Sequence, residues 1–271
     1  MPLIPARHAG IMGFMKELKK QRAKKMRLDE LLVARGLAAS RSQAKLMIME
    51  GKVRSGTQVL DKSGHTFPSN IPLEVETPPR FVSRGGEKLE GFLTAFPIDV
   101  TGFNVLDVGA STGGFTDCVL QRGAVHVTCV DVGRAQLHDK ILRDVRVKNF
   151  EGINARYLDT SILPFSVYDL VVMDLSFISL TSVLQSVWKA VDNSGSLVCL
   201  IKPQFEVGKK EADKCRGVIR DEALRAEVVE RVRTFVRDNL EGASEIGLVT
   251  SPIQGAEGNV EFLLGLRKQL Q

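Results

Sequence analysis

Two uninterrupted apolar runs in this chain each end on an ionisable residue, Asp169-Leu-Val-Val-Met-Asp174 and Leu197-Val-Cys-Leu-Ile-Lys202. Such runs suit parallel strands buried on both faces, and the carboxyl ends of those strands are where open α/β sheets bind ligands. A lysine there has lost part of the hydration that favours its charged form, the direction needed to take a proton from a hydroxyl. A neighbouring carboxylate opposes that effect but aims the amine. Either residue alone is a common strand terminus; Asp174 and Lys202 together, on neighbouring strands, are less common and form the first chemical candidate.

The second candidate is the turn Leu106-Asp-Val-Gly-Ala-Ser-Thr-Gly-Gly-Phe-Thr-Asp117, which ends a strand and starts a helix. Gly109, Gly113 and Gly114 let backbone approach a ligand with no Cβ in the way. A dinucleotide is the natural competitor for any glycine-rich turn of this kind. The spacing, however, is not G-x-G-x-x-G, and Asp107 brings a carboxylate that repels a pyrophosphate but suits a ligand carrying an ammonium and a sulfonium. Asp131 ends the next strand, where an acid can accept both ribose hydroxyls of a nucleoside. Alone it reads as a strand-end turn residue; with Asp107 and the glycines it points to S-adenosylmethionine.

The elements that must hold these residues alternate strand and helix. Strands are predicted over 104–108, 126–131, 145–150, 169–174, 196–202, 244–250 and 259–266, and helices most clearly over 113–122, 182–191 and 221–240, the last with Leu224, Val228, Val232, Phe235 and Val236 on one stripe. This is the pattern of a doubly wound, Rossmann-like α/β sheet. Ahead of it, Leu28, Leu31 and Leu32 recur at helical spacing, Gly36 stops that helix, and Ser40 is placed to cap a second one carrying Ala44, Ile48 and Met49. Segments 53–60 and 71–76 then read as a small antiparallel sheet. The organisation expected is a basic mobile arm over 1–25, a small α+β domain over 26–79 ending in the stiff linker Thr77-Pro78-Pro79, and the α/β domain over 80–271.

The chain of 271 residues carries a net charge of +5, unevenly distributed. Residues 1–54 hold thirteen Lys and Arg against Glu17, Asp29, Glu30 and Glu50, a net of +9, which leaves −4 for the remainder. A front module that meets a phosphate backbone accounts for such asymmetry, and a solvated basic arm accounts for residues 1–25 equally well. No apolar run approaches the ~20 residues of a membrane helix, and residues 1–25 contain no continuous apolar stretch like that of a signal peptide, so the expectation is a cytoplasmic chain. Cys118, Cys129, Cys199 and Cys215 form no C-x-x-C pair and predict neither disulfides nor a metal.

Five ordered motifs carry a resemblance: Ser83-Arg-Gly-Gly-Glu-Lys88, Asp107-Val-Gly-Ala-Ser-Thr-Gly-Gly-Phe-Thr-Asp117, Asp174-Leu-Ser-Phe-Ile-Ser179, Lys202-Pro-Gln-Phe-Glu206 and Gly258-Asn-Val-Glu261. From residue 26 to about 268 the sequence resembles the hemolysin A (TlyA) family of ribosomal RNA 2′-O-methyltransferases, whose catalytic domain is similar to the FtsJ ribose methyltransferases. The resemblance implies a Lys-Asp-Lys-Glu tetrad on Lys88, Asp174, Lys202 and Glu261; on spacing alone Lys88 and Glu261 would pass for surface charges. It implies cofactor contacts from Asp107, Gly109, Ala110, Ser111, Gly113 and Gly114, and from Phe115, Thr116, Asp131 and Asn154.

The front segment, Arg27-Leu-Asp-Glu-Leu-Leu32 with Gly36-Leu-Ala-Ala-Ser-Arg-Ser-Gln-Ala-Lys45 and Gly51-Lys-Val53, resembles the alpha-L RNA-binding module of a small-subunit ribosomal protein. It departs from that module at Arg54-Ser-Gly56, where Val-Asn-Gly is usual. Arg27, Arg41, Ser42, Lys45, Lys52 and, beyond the module, Arg84 are the RNA contacts implied. The implied activity is S-adenosylmethionine-dependent methylation of a ribose, a cytidine's, in ribosomal RNA or ribosomal subunits, with Lys202 as general base and with neither metal nor membrane as partner. A non-catalytic RNA-binding or ribosome-assembly protein of the same fold is the main rival. A pseudouridine synthase has no use for the glycine-rich turn, and a cytolysin would need a membrane-inserting segment.

Overall fold

The computed structural model describes residues 24–76 and 79–269. The expected arm falls, up to residue 23, outside the described residues, as do Thr77 and Pro78 of the expected linker. The described residues form two compact units that divide between positions 78 and 79.

In the first unit, β1 (Lys25–Arg27) leads into α1 (Leu28–Ala34), and Gly36, at φ +69°, follows the end of that helix. The Ser40 hydroxyl accepts from the Gln43 amide at 3.2 Å and so caps α2 (Arg41–Met49), satisfying a donor that the first helical turn leaves free. Strands β2 (Val53–Ser55) and β3 (Gln58–Val59) form a hairpin closed by Gly56 and Thr57. β4 (Thr66–Pro68) pairs antiparallel with β1, and β5 (Glu74–Val75) pairs antiparallel with β2. Leu28, Leu32, Ala44, Ile48, Val53 and Leu60 make the core of this unit. The β1–β4 pair was not foreseen, because strands of three residues leave no periodicity to read.

The second unit starts with α3 (Gly85–Ala95) and continues β6 (Asn104–Val108), α4 (Gly114–Gln121), β7 (His126–Asp131), α5 (Asp139–Leu142), β8 (Val147–Glu151), β9 (Tyr168–Met173) and α6 (Leu184–Trp188). It closes with β10 (Val191–Ile201), α7 (Pro203–Glu206), α8 (Lys209–Lys214), α9 (Glu222–Asn239), β11 (Ala243–Thr250) and β12 (Phe262–Lys268). The seven strands order as β11-β12-β10-β9-β6-β7-β8, with β12 antiparallel to both of its neighbours and the rest of the ladder parallel. This is the doubly wound sheet expected, with its change of direction between β6 and β9.

The apolar runs follow from this layering. On β9, Leu170 and Val172 face a core shared with α3 and α4, through Leu89, Phe92, Phe115 and Val119, while Val171 and Met173 face the core under α6 and α9, through Val187, Val228 and Val232. Both faces being covered, no polar alternation is needed, and each fully buried Val or Leu contributes about 1.5–3 kcal/mol of transfer free energy. The stripe read on α9 is shifted slightly: Val228, Val229, Val232 and Val236 are buried, while Leu224 and Phe235 sit at its margins. Among the described residues no helix is long and apolar enough to cross a membrane.

Candidate active site

Four strands deliver side chains to the carboxyl edge of the sheet around its change of direction. A cleft of about 420 Å³ opens there, within the usual range for a small-molecule site, and is lined by residues that follow β6, β7, β8 and β9. Its floor is the turn after β6. Gly109, at φ +82°, lies so close to the next strand that an added Cβ would sit 2.6 Å from the Asp174 carbonyl oxygen. A smaller recess beside it is lined by Ser83, Gly85, Ala110, Ser111, Gly114 and Phe115 among others.

The carboxylate of Asp131 is held on both oxygens, accepting from the Ser111 amide at 2.8 Å and the Gly133 amide at 2.7 Å. It therefore stands fixed at the cleft wall with lone pairs to spare for a ribose. Asn154 lines the same cleft and accepts from the Arg156 amide at 3.0 Å. Val130, Val132, Ile153 and Ile178 supply apolar lining, Asp174 a second carboxylate, and no Lys or Arg occurs among the described lining residues. Asp131, which pairs with no lysine or arginine among the described residues, disfavours a pyrophosphate there and suits the hydroxyls of a nucleoside that carries positive charge.

Three expected cofactor residues, Asp107, Thr116 and Gly113, do not reach this surface, Thr116 being fully buried in the first turn of α4. Asp107 is fully buried within β6, where its Oδ2 accepts from the Thr116 hydroxyl at 2.6 Å, and Thr116 also lies 3.1 Å from the Cys129 sulfur. Strand alternation turns Asp107 away from the cleft, so it pins the first turn of α4 from behind rather than meeting a ligand's ammonium directly. Burial, and secondarily the nearby Asp174 and Asp131 carboxylates, push its pKa up to about 7. Gly113 also lies outside both recesses; at φ +89° it starts α4, and an added Cβ would sit 2.8 Å from Leu137.

The strand-end lysine and aspartate meet. Lys202 follows β10 and precedes Pro203, which opens α7; a residue before proline is held extended, and Lys202, at φ −109° and ψ 102°, prolongs the strand to its ligand edge. β10 runs parallel to β9, with Cys199 opposite Met173, so the two strand ends are neighbours. Lys202 Nζ lies 2.6 Å from Asp174 Oδ1 and donates to the Ser176 hydroxyl at 2.9 Å. A second ion pair forms from the residues that looked like surface charges: Lys88 Nζ, on α3, lies 2.6 Å from Glu261 Oε2, and both side chains are buried. Glu261 immediately precedes β12, whose Phe262 stands opposite Ile201, so Glu261 and Lys202 emerge side by side at the same edge.

Sequence reasoning passed over Ser176 and Phe177. Phe177 is 90% exposed at the cleft mouth, holds φ +63°, and packs its ring 5.0 Å from that of Phe205. The available signal was an aromatic residue three positions beyond a strand-end Asp, in a loop where α/β sheets bind ligands. Beyond the loop, Glu206 accepts from the Ser179 hydroxyl and the Leu180 amide, each at 2.7 Å, and burial raises its pKa.

The basic residues of the first unit are less free than counting charges suggests. Asp29, fully buried, receives Arg27 at 3.0 Å and Arg41 at 3.0 Å, and Arg41 also reaches Glu30 at 3.2 Å. The arginine hydrogen bonds, Arg27's foremost, hold the Asp29 carboxyl down to about 2. Lys52 pairs with Glu50 at 2.6 Å, whereas Ser42 and Lys45 are exposed on α2. Arg84, in the second unit, donates to the Gln254 carbonyl.

Comparison with known proteins agrees with this architecture. The FtsJ-like methyltransferase family model matches residues 81–268 and the S4 domain model residues 26–69. The chain is 44% identical over 249 residues to a Mycobacterium tuberculosis protein named 16S/23S rRNA (cytidine-2′-O)-methyltransferase TlyA, covering 91% of each chain. It is 43% identical over 245 residues to YqxC of Bacillus subtilis, covering 90% of this chain and 86% of that one. A solved structure from Streptococcus thermophilus that carries the hemolysin name is 39% identical, with a TM-score of 0.68 over 91% of this chain and 90% of that one. The chain is thus a member of the FtsJ-like methyltransferases and, within them, of the hemolysin A (TlyA) family.

Proposed function

We propose that the protein transfers a methyl group from S-adenosylmethionine to the ribose 2′-hydroxyl of a cytidine in ribosomal RNA or a ribosomal subunit, in the cytosol. The observation that carries this reading is the two ion pairs at one sheet edge, Lys202–Asp174 and the buried Lys88–Glu261, beside a cleft walled by the Asp131 carboxylate. When bound, the donor supplies an electrophilic methyl on a sulfonium. Lys202, neutral as the hydroxyl arrives, takes the hydroxyl proton onto Nζ as the oxygen attacks in line, and Asp174 aims the amine. Lys88 and Glu261 orient the hydroxyl through charge-assisted hydrogen bonds. Asp131 and Asn154 hold the donor's nucleoside end.

A ribose inside a helix cannot enter such a cleft, so the target nucleotide must leave its stack, and the exposed Phe177 ring gives its base a face to lie on. The cytidine follows the curated relatives, and the RNA partner follows the match to an S4 domain together with the +9 charge of residues 1–54. The test is transfer of tritiated methyl to ribosomal subunits from cells lacking the enzyme, followed by mapping of the label. Label in a 2′-O-methylcytidine is the expected result; label on a base, or none in any subunit, refutes the reading.

A further inference from the structure

We propose that Ser176 is a positioning residue for Lys202: its hydroxyl oxygen takes one of the two N–H bonds of the neutral amine and so checks its rotation, keeping the nitrogen lone pair turned toward the substrate hydroxyl. This rests on the general-base reading of Lys202. A charged lysine has three N–H bonds and no lone pair; the neutral form has two N–H bonds and one lone pair at the remaining tetrahedral corner. Two acceptors stand around Nζ, Asp174 Oδ1 at 2.6 Å and Ser176 Oγ at 2.9 Å. The Asp174 contact is an ion pair without hydrogen-bond alignment, so Asp174 alone would leave the amine free to turn about Cε–Nζ and swing its lone pair away from the substrate. The Ser176 oxygen supplies the one directional hydrogen bond on the amine, which stops that rotation, so proton transfer from the ribose hydroxyl meets a lone pair already aimed.

The loop holding Ser176 is built to keep it there. At its start the Asp174 amide donates to the Val108 carbonyl at 3.1 Å. In its middle Phe177 adopts φ +63°, a left-handed conformation that a non-glycine residue holds only against strain. At its end Glu206 takes the Ser179 hydroxyl and the Leu180 amide. Glu206 closes α7, the single helical turn that opens just after Lys202. One short element therefore fixes the base at its start and, at its finish, the loop that carries the base's second acceptor.

Ser176 is exposed in the free protein, so water can replace its oxygen there; once RNA covers the mouth, water loses access. The role must therefore appear in turnover and not in the properties of the free chain. Full-length Ser176→Ala, Ser176→Thr and Lys202→Ala are compared by single-turnover methylation of ribosomal subunits at saturating RNA, beside calorimetric donor binding and thermal unfolding. Ser176→Ala is expected to slow the rate roughly tenfold, equivalent to ~1.4 kcal/mol, with donor affinity and melting temperature unchanged, and Ser176→Thr to restore most of the rate. If Ser176→Ala runs at the wild-type rate or faster while Lys202→Ala is inactive, the proposal is overturned and the general base stands; a faster rate would mean the hydroxyl donates to the lone pair and masks it. Loss of donor affinity or of stability in step with the rate would reduce Ser176 to a structural residue and overturn the proposal too. Turnover by Lys202→Ala would remove the reading on which it rests.

Discussion

Asp107 makes the stability of this fold depend on pH in a direction opposite to that of most carboxylates. It is fully buried, its Oδ2 is occupied by Thr116, and its Oδ1 has no partner among the described residues. Its pKa rises from 3.8 to about 7, chiefly through burial. The folded state therefore keeps a proton that the unfolded chain loses. The stabilisation is fully present below pH 3.8, declines as pH rises, and is gone above about 7. At about 1.4 kcal/mol per pH unit across that window, the swing is on the order of 4 kcal/mol, a large part of the 5–15 kcal/mol typical of a domain.

Asp107→Asn removes the titration but keeps the shape and an oxygen for the Thr116 hydroxyl. The new amide nitrogen, where Oδ1 had no partner, adds a destabilisation that does not change with pH. Urea unfolding of both proteins at intervals from pH 4.5 to 8.5 follows the effect of Asp107 and the groups coupled to it, because groups that do not interact with Asp107 titrate alike in the two and cancel in the difference. The wild type should lose stability relative to Asp107→Asn as pH rises, with most of the change complete near neutrality. A difference that stays flat across the window would mean that Asp107 is ionised throughout, and the burial argument would be wrong.

Three further outcomes follow from the geometry. Lys202→Arg should be nearly as inactive as Lys202→Ala in single-turnover methylation, while donor and RNA affinities persist, because a guanidinium stays charged at any accessible pH and cannot accept the proton. Gly109→Ala forces a Cβ to within 2.6 Å of the Asp174 carbonyl oxygen at φ +82°; it should lower stability by about 1–3 kcal/mol in thermal unfolding and slow methylation by displacing Asp174. Asp29→Asn leaves Arg27 and Arg41 without their shared carboxylate; the first unit should lose about 1–3 kcal/mol, visible as earlier protease cleavage between residues 26 and 69.

The doubly wound sheet was legible because strands covered on both faces are uniformly apolar, and Asp174 and Lys202 stood out at the ends of two such runs. What escaped was whatever depends on contacts far apart in sequence. Helix α3 was not read because Gly85-Gly86 resembles a turn, yet Gly86 serves close packing: an added Cβ would lie 2.2 Å from the Phe81 ring. The start of β10 at Val191 was hidden behind Asp192-Asn-Ser-Gly195, which reads as a turn and breaks the ladder register between Val191 and Ser196. On the RNA-binding side, Arg27 and Arg41 are among the contacts that the resemblance implies. Periodicity gave no reason to bury Asp29, and that buried acid ties the two arginines to the fold. Asp107 misled for the opposite reason: its place in the motif suggested a ligand contact, and strand alternation turned it inward.

Lys88 and Glu261 show why the second half of the tetrad could not be derived from spacing. In a parallel sheet the ligand edge is the carboxyl end of each strand, so a residue preceding a strand should lie at the far side. β12 breaks that rule because it runs antiparallel to β10, which brings its beginning to the edge where β10 ends. Glu261, expected inside the strand predicted over 259–266, instead immediately precedes β12 and is thereby set beside Lys202. Lys88 reaches the same place from α3, a helix that precedes the first strand of the sheet altogether. Buried, each would be an uncompensated charge without the other, so the 2.6 Å pair between them is a condition of the fold as well as a resource for chemistry. Reversal of one strand thus turns two unremarkable charges into half of a candidate active site, and the information for that reversal lies in the topology, not in the residues flanking either charge.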